Sequence, residues 1–107
     1  MQNIKHVLDA VPALHTATRS DLSGNVSDAA GRGEPDVVAA VASLSLQHLD
    51  ELSEMLGLGP LQSWGFGTER ASLYVVKRQG TLIAASGESA RNVESTLKMV
   101  VAAVESL

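Results

Sequence analysis

Three histidines, one run of carboxylates and two glycine-flanked turns are the parts of this chain whose residue types lend themselves to chemistry. His6, His15 and His48 are its only imidazoles, and cysteine is absent, so a metal centre would need histidine and carboxylate ligands alone. The three histidines have no metal-like spacing with one another. His48 precedes Asp50, Glu51 and Glu54, a set that reads as a solvated helix face or as a surface for a basic partner patch. Ser20, Asp21 and His15 supply the types of a hydrolytic triad, yet no glycine-rich elbow surrounds a serine. Gly31, Arg32 and Gly33 lack the further glycines, the lysine and the Ser or Thr of a phosphate loop, and they read as linker. Gly57, Leu58, Gly59 and Pro60 read as a helix terminator. The expectation is no catalytic residue, no cofactor and no metal ligand, hence no enzyme.

The bulk properties narrow the partners. The chain has 107 residues and a formal net charge of −4, with no lysine- or arginine-rich block, which argues against nucleic acid or an anionic membrane surface. One domain spanning residues 1–107 fits this length. The first ten residues hold no long apolar secretory segment, and later apolar runs are too short or interrupted to span a bilayer. A cytoplasmic protein without direct membrane insertion is expected. Charged residues make up only 19% of the chain, and its many alanines and valines suggest apolar surface covered by a second subunit or by the domain's own core.

The spacing of apolar residues predicts helix, hairpin, helix, three-stranded meander, helix. Ile4, Val7, Leu8 and Val11 predict a short helix over 4–11, with Asn3 as cap and Pro12 as stop. Weak strand character over 13–19 and 25–29 flanks a turn at Asp21, Leu22, Ser23 and Gly24. On the first strand His15, Ala17 and Arg19 point one way, and Leu14, Thr16 and Thr18 the other. A long helix over 36–56 starts after Pro35, whose missing donor is harmless in a first turn. It carries a stripe of large apolar residues and a second stripe of Ala39, Ala42, Ser43 and Leu46. Strands over 61–67, 71–78 and 81–86 follow, the last two apolar on both faces and therefore central to a covered sheet. Ser89 is the expected cap of a final helix whose Val93, Leu97, Val100, Val104 and Leu107 fall on one stripe.

A helix apolar on two faces is sandwiched between surfaces, which a domain this small supplies with difficulty. The next strand carries Trp64 and Phe66 on one face beside Gln62, with Leu61, Ser63 and Gly65 on the other. Trp64 is read either as a core residue or as an interface anchor.

The order of these elements resembles the roadblock/LC7 family over nearly the whole chain. The residues that carry the resemblance are Asp21 to Gly24 between the first strands and the long helix over 36–56 ending at Gly57, Leu58 and Gly59. Ala71, Leu73 and Val75, then Gly80, Thr81, Leu82 and Ile83, and finally Ser89 to Val93 complete it. The scarcity of bulky strand formers after Gly24 and the sequence Trp64, Gly65, Phe66 depart from the family pattern. The resemblance implies a profilin-like α/β sandwich, with a five-stranded antiparallel sheet, the central helix on one face and the terminal helices on the other. It also implies a homodimer through the central helix and the strand after it. On this chain that assigns the interface to Val37, Val41, Leu44, His48, Leu52, Leu61, Ser63, Trp64 and Phe66. The family includes adaptor, dynein-associated and small-GTPase regulatory members. The expected function is therefore a non-catalytic dimeric regulator or scaffold that binds a small Ras-like GTPase. The alternative is a structural adaptor subunit with no effect on nucleotide turnover.

Overall fold

A computed structural model describes residues 3–107. The elements in chain order are α1 (Lys5–Ala10), β1 (Leu14–Asp21), β2 (Val26–Gly31), α2 (Pro35–Met55), β3 (Ser63–Gly67), β4 (Ala71–Arg78), β5 (Thr81–Glu88) and α3 (Val93–Glu105). The strands form one antiparallel sheet in the order β2-β1-β5-β4-β3. α2 covers one face, lying over β1 and β5, while α1 and α3 cover the other. The expected sandwich is the one found.

Alternation along the two inner strands builds both cores at once. Leu73, Val75, Leu82 and Ala84 point to α2, while Tyr74, Val76, Ile83 and Ala85 point to α1 and α3. Val100 and Val104 of α3 close the second core, with Val93, Leu97 and Leu107 packed at its margin. On the α2 side it is the small stripe that meets the sheet. Ala39, Ala42 and Ser43 are buried, and short side chains let the helix backbone settle onto β1.

Local chemistry explains where boundaries differ from the sequence expectation. Asn3 Oδ1 accepts the Lys5 N–H at 2.9 Å, so the expected cap holds, with Ile4 already in helical conformation ahead of α1. Ser89 does not cap α3, because its hydroxyl donates to the Thr68 carbonyl at 2.7 Å. Asn92 takes that role, accepting from the Ser95 N–H at 3.0 Å, and the helix starts three residues later than expected. Leu14 also changes face. A register shift between Leu14 and Thr16 inserts His15 as an extra residue and turns Leu14 into the α1–α3 core beside Ala17. Gly87 stands opposite, where any side chain would collide with the Ala13 carbonyl.

Candidate functional site

The surface that stands apart lies along α2 and the β3 edge. At 3.6 residues per turn, burying Ala39, Ala42, Ser43 and Leu46 leaves the larger stripe pointing away from the sheet. Val37, Val41, Leu44 and Leu52 are 53%, 41%, 54% and 53% exposed, and His48 is exposed among them. Two hydrogen bonds fix the orientation of the helix. Ser43 Oγ donates to the Leu22 carbonyl at 2.7 Å on the flank facing the β1–β2 turn. Trp64 Nε1 donates to Ser45 Oγ at 2.9 Å on the flank facing β3. The apolar stripe therefore runs along the outer surface towards β3, whereas Gln47, Glu51 and Glu54 lie towards the opposite flank.

β3 ends the sheet, pairing only with β4, so its other side presents unpaired backbone N–H and C=O groups. Its sequence, Ser-Trp-Gly-Phe-Gly, separates large from small by face. Trp64 and Phe66 point to the α2 side. Gly65 and Gly67 point to α3, where an added Cβ would lie 3.3 Å and 3.0 Å from Val93. Glycine here lets the start of α3 lie against the strand. Trp64 is buried beneath α2 against Leu46 and Leu73, which places it in the protomer core. Phe66, one turn of the pleat further on, is 44% exposed. Because α2 lies over β1 and β5, the sheet near Phe66 is left partly open. The result is an apolar groove of about 210 Å³ lined by Val37, Val38, Val41, Phe66 and Leu73.

The expected interface residues are thus placed unequally. Val37, Val41, Leu44, His48, Leu52 and Phe66 share one exposed surface. Leu61 does not belong to the strand, which starts at Ser63, and it packs on the α2-side core with Trp64 instead of on the opposite face. Strict alternation fails there because residues 58–62 are not extended within a ladder. Ser63 is half-buried at the α3 side. Met55 and Leu56 fall inside the expected helical span of the interface (37–56) without being singled out, and Leu58 lies outside it; these three are the most exposed of the large apolar residues, at 82%, 71% and 73%. The helical stripe already contained the signal for Met55.

The chemical candidates stay apart. His15 and Ser20 are five residues apart on one extended strand, about 17 Å, too far for a nucleophile and its base. The Ser20 hydroxyl donates to the neighbouring Asp21 carbonyl at 3.0 Å. Asp21 holds the β1–β2 turn: its carboxylate accepts from the Asn25 side chain and from the Asn25 and Ser23 N–H groups at 2.9–3.0 Å. The Asn25 side chain, followed by the backbone donors, holds this carboxyl below its usual range. Among the described residues no three His, Asp or Glu side chains gather as a metal site, and no helix is long and apolar enough to cross a membrane.

No family model matches the sequence, and no curated protein does. Solved structures do. A roadblock/LC7 domain from Streptomyces avermitilis superposes with a TM-score of 0.81 at 19% identity, covering 96% of this chain and 89% of that one. MglB in a tetrameric arrangement gives 0.80 at 19% identity, covering 97% and 81%. The gliding protein MglB from Thermus thermophilus gives 0.72 at 16% identity, covering 97% and 87%. At these identities the likeness is one of architecture, and this chain is built on the roadblock/LC7 fold.

Proposed function

We propose that this protein is a non-catalytic, homodimeric regulatory or scaffold subunit that binds a small Ras-like GTPase. The observation that carries the reading is the adjacency of an outward apolar stripe on α2 to the unpaired edge of β3. Each feature alone is a liability in water, and a second copy removes both. Burying the exposed parts of Val37, Val41, Leu44, Leu52, Met55 and Phe66 contributes about 1 kcal/mol per side chain, or about 12 kcal/mol for two copies. Association costs about 4–15 kcal/mol, so pairing of the β3 edges sets how tight the dimer is.

Support for the GTPase partner is the sequence resemblance to a family with GTPase-regulatory members, together with the roadblock/LC7 fold that the chain shares with MglB structures. The protein would act by stabilising one conformation of the GTPase, whose own residues carry out hydrolysis. The test is single-turnover GTP hydrolysis by a small Ras-like GTPase from the same source, with and without this protein. A faster or slower rate, together with binding that depends on the bound nucleotide, supports regulation. Binding with an unchanged rate leaves the structural adaptor, and absence of binding removes the GTPase from the account.

A further inference from the structure

A second cleft, of about 350 Å³, opens on the sheet face away from α2, beside the C-terminal end of α3. That volume is in the range of small-molecule sites. Arg19 of β1, Thr81 and Ile83 of β5 and Arg78 of β4 line it from three adjacent strands, and Val104 and Leu107 wall it from α3. The register sets its geometry. Arg19 pairs with Ile83 and Arg78 with Thr81, so β5 runs between the two arginines. Their backbones stand about 10 Å apart across the sheet, and both side chains border the space over β5.

The two arginines are the only charged side chains in this lining, and each keeps donors that the chain does not use. Arg78 gives one N–H to the Val104 carbonyl, which answers the negative end of the α3 dipole. Among the described residues its other guanidinium donors meet no protein acceptor. Arg19 lies 3.8 Å from Asp28 Oδ2, too long for a charge-assisted hydrogen bond, while Asp28 Oδ1 accepts the Ala29 N–H at 2.9 Å. The other nearby carboxylates are turned elsewhere. Asp21, paired with Thr81 in the ladder, is held by Asn25 and Ser23 in its own turn. Glu105 borders a separate groove on the β3 side of Arg78. Gln79 completes the lining from the β4–β5 turn, at φ 52°, the one non-glycine residue with positive φ among the described residues. Asparagine, aspartate or glycine is the usual residue there, so a longer amide borders the cleft from a strained position.

We propose that this cleft binds a small phosphomonoester, with its phosphoryl group between Arg19 and Arg78 and its organic part against Ile83, Val104 and Leu107. A phosphoryl group carries a charge of about −1.5 to −2 at neutral pH and three strong acceptor oxygens. It therefore suits a lining of two guanidinium forks, a hydroxyl and an amide, and it meets both forks at once where a carboxylate has one oxygen fewer. The apolar wall favours the ester over the free ion. Because the cleft lies on the face away from the α2 stripe, the ligand and a second copy do not compete for one surface.

Phenyl phosphate has both parts of the expected ligand. Titrated into the whole isotope-labelled chain, it should give saturable NMR shifts centred on the amides of Thr81, Ile83 and Leu107. Inorganic phosphate should bind several-fold more weakly. Arg19→Gln should weaken binding of the ester by about tenfold, the effect of losing one charged hydrogen bond. Arg78→Lys should weaken it comparably, since lysine keeps a donor for the Val104 carbonyl and loses the fork. Absence of saturable shifts with phenyl phosphate would overturn the site. Unchanged affinity in either variant would overturn the seat given to the phosphoryl group, and inorganic phosphate binding as tightly as the ester would overturn the apolar wall.

Discussion

Trp64 has one polar atom, and its environment shows what the residue does. The indole lies under α2, and its N–H reaches Ser45 Oγ. Trp64→Phe should keep most of the packing and lose about 1 kcal/mol with that bond, while Trp64→Ala should lose about 3–5 kcal/mol of protomer stability, read as chemical denaturation midpoints. Equal losses for the two variants would mean that the ring's volume contributes little. Asp21 makes a different kind of prediction. Its folded-state pKa is lowered, first by the Asn25 side chain, so it contributes stability that is present above its ordinary value of 3.8 and fades as pH falls through the lower folded value. Asp21→Asn should therefore flatten the acid side of the stability profile below about pH 4 in thermal melts. An unchanged acid limb would show that the turn's hydrogen bonds survive protonation.

At the scale of elements, β3 and α3 depend on each other through absent side chains. A Cβ at Gly65 would lie 2.9 Å from the Tyr74 ring and 3.3 Å from Val93. Gly65→Ala should therefore destabilise the domain by about 1–3 kcal/mol, the usual cost of overpacking, and Val93→Ala in the same chain should recover part of it. Little in the sequence reveals this contact, since glycine in a short strand signals equally a bulge or a turn. The inner strands were legible because β4 and β5 are apolar on both faces, which only a doubly covered position explains. α2 was legible as two-faced, although periodicity alone did not say which stripe met the sheet. Size decides that: Ala39, Ala42 and Ser43 permit close approach, and the larger residues are left outside. The start of α3 was misplaced because Ser89 and Asn92 are both good caps, and only the long-range bond from Ser89 to Thr68 selects between them.

At the scale of the whole molecule, the outward stripe of α2 is apolar, while exposed charge flanks it on α2 and in the β3–β4 turn at Glu69 and Arg70. Glu51 and Glu54 lie on the flank of α2 away from β3, and the Arg19–Asp28 pair, 3.8 Å apart, sits at the opposite end of the sheet. Val37, Val41, Leu44, Leu52 and Met55 carry no charge, so the stripe itself offers none to a second copy approaching it. Leu44 lies near the middle of that approach and is 54% exposed, so Leu44→Arg should leave protomer stability within about 0.5 kcal/mol while placing an unpaired charge in any α2–α2 contact. Sedimentation of the unaltered protein and of Leu44→Arg, over the same range of concentration, is the most direct test of the surface identified here. The expected result is a dimer that becomes a folded monomer on substitution. A Leu44→Arg protein that remains dimeric, or an unaltered protein that is monomeric throughout, would contradict it.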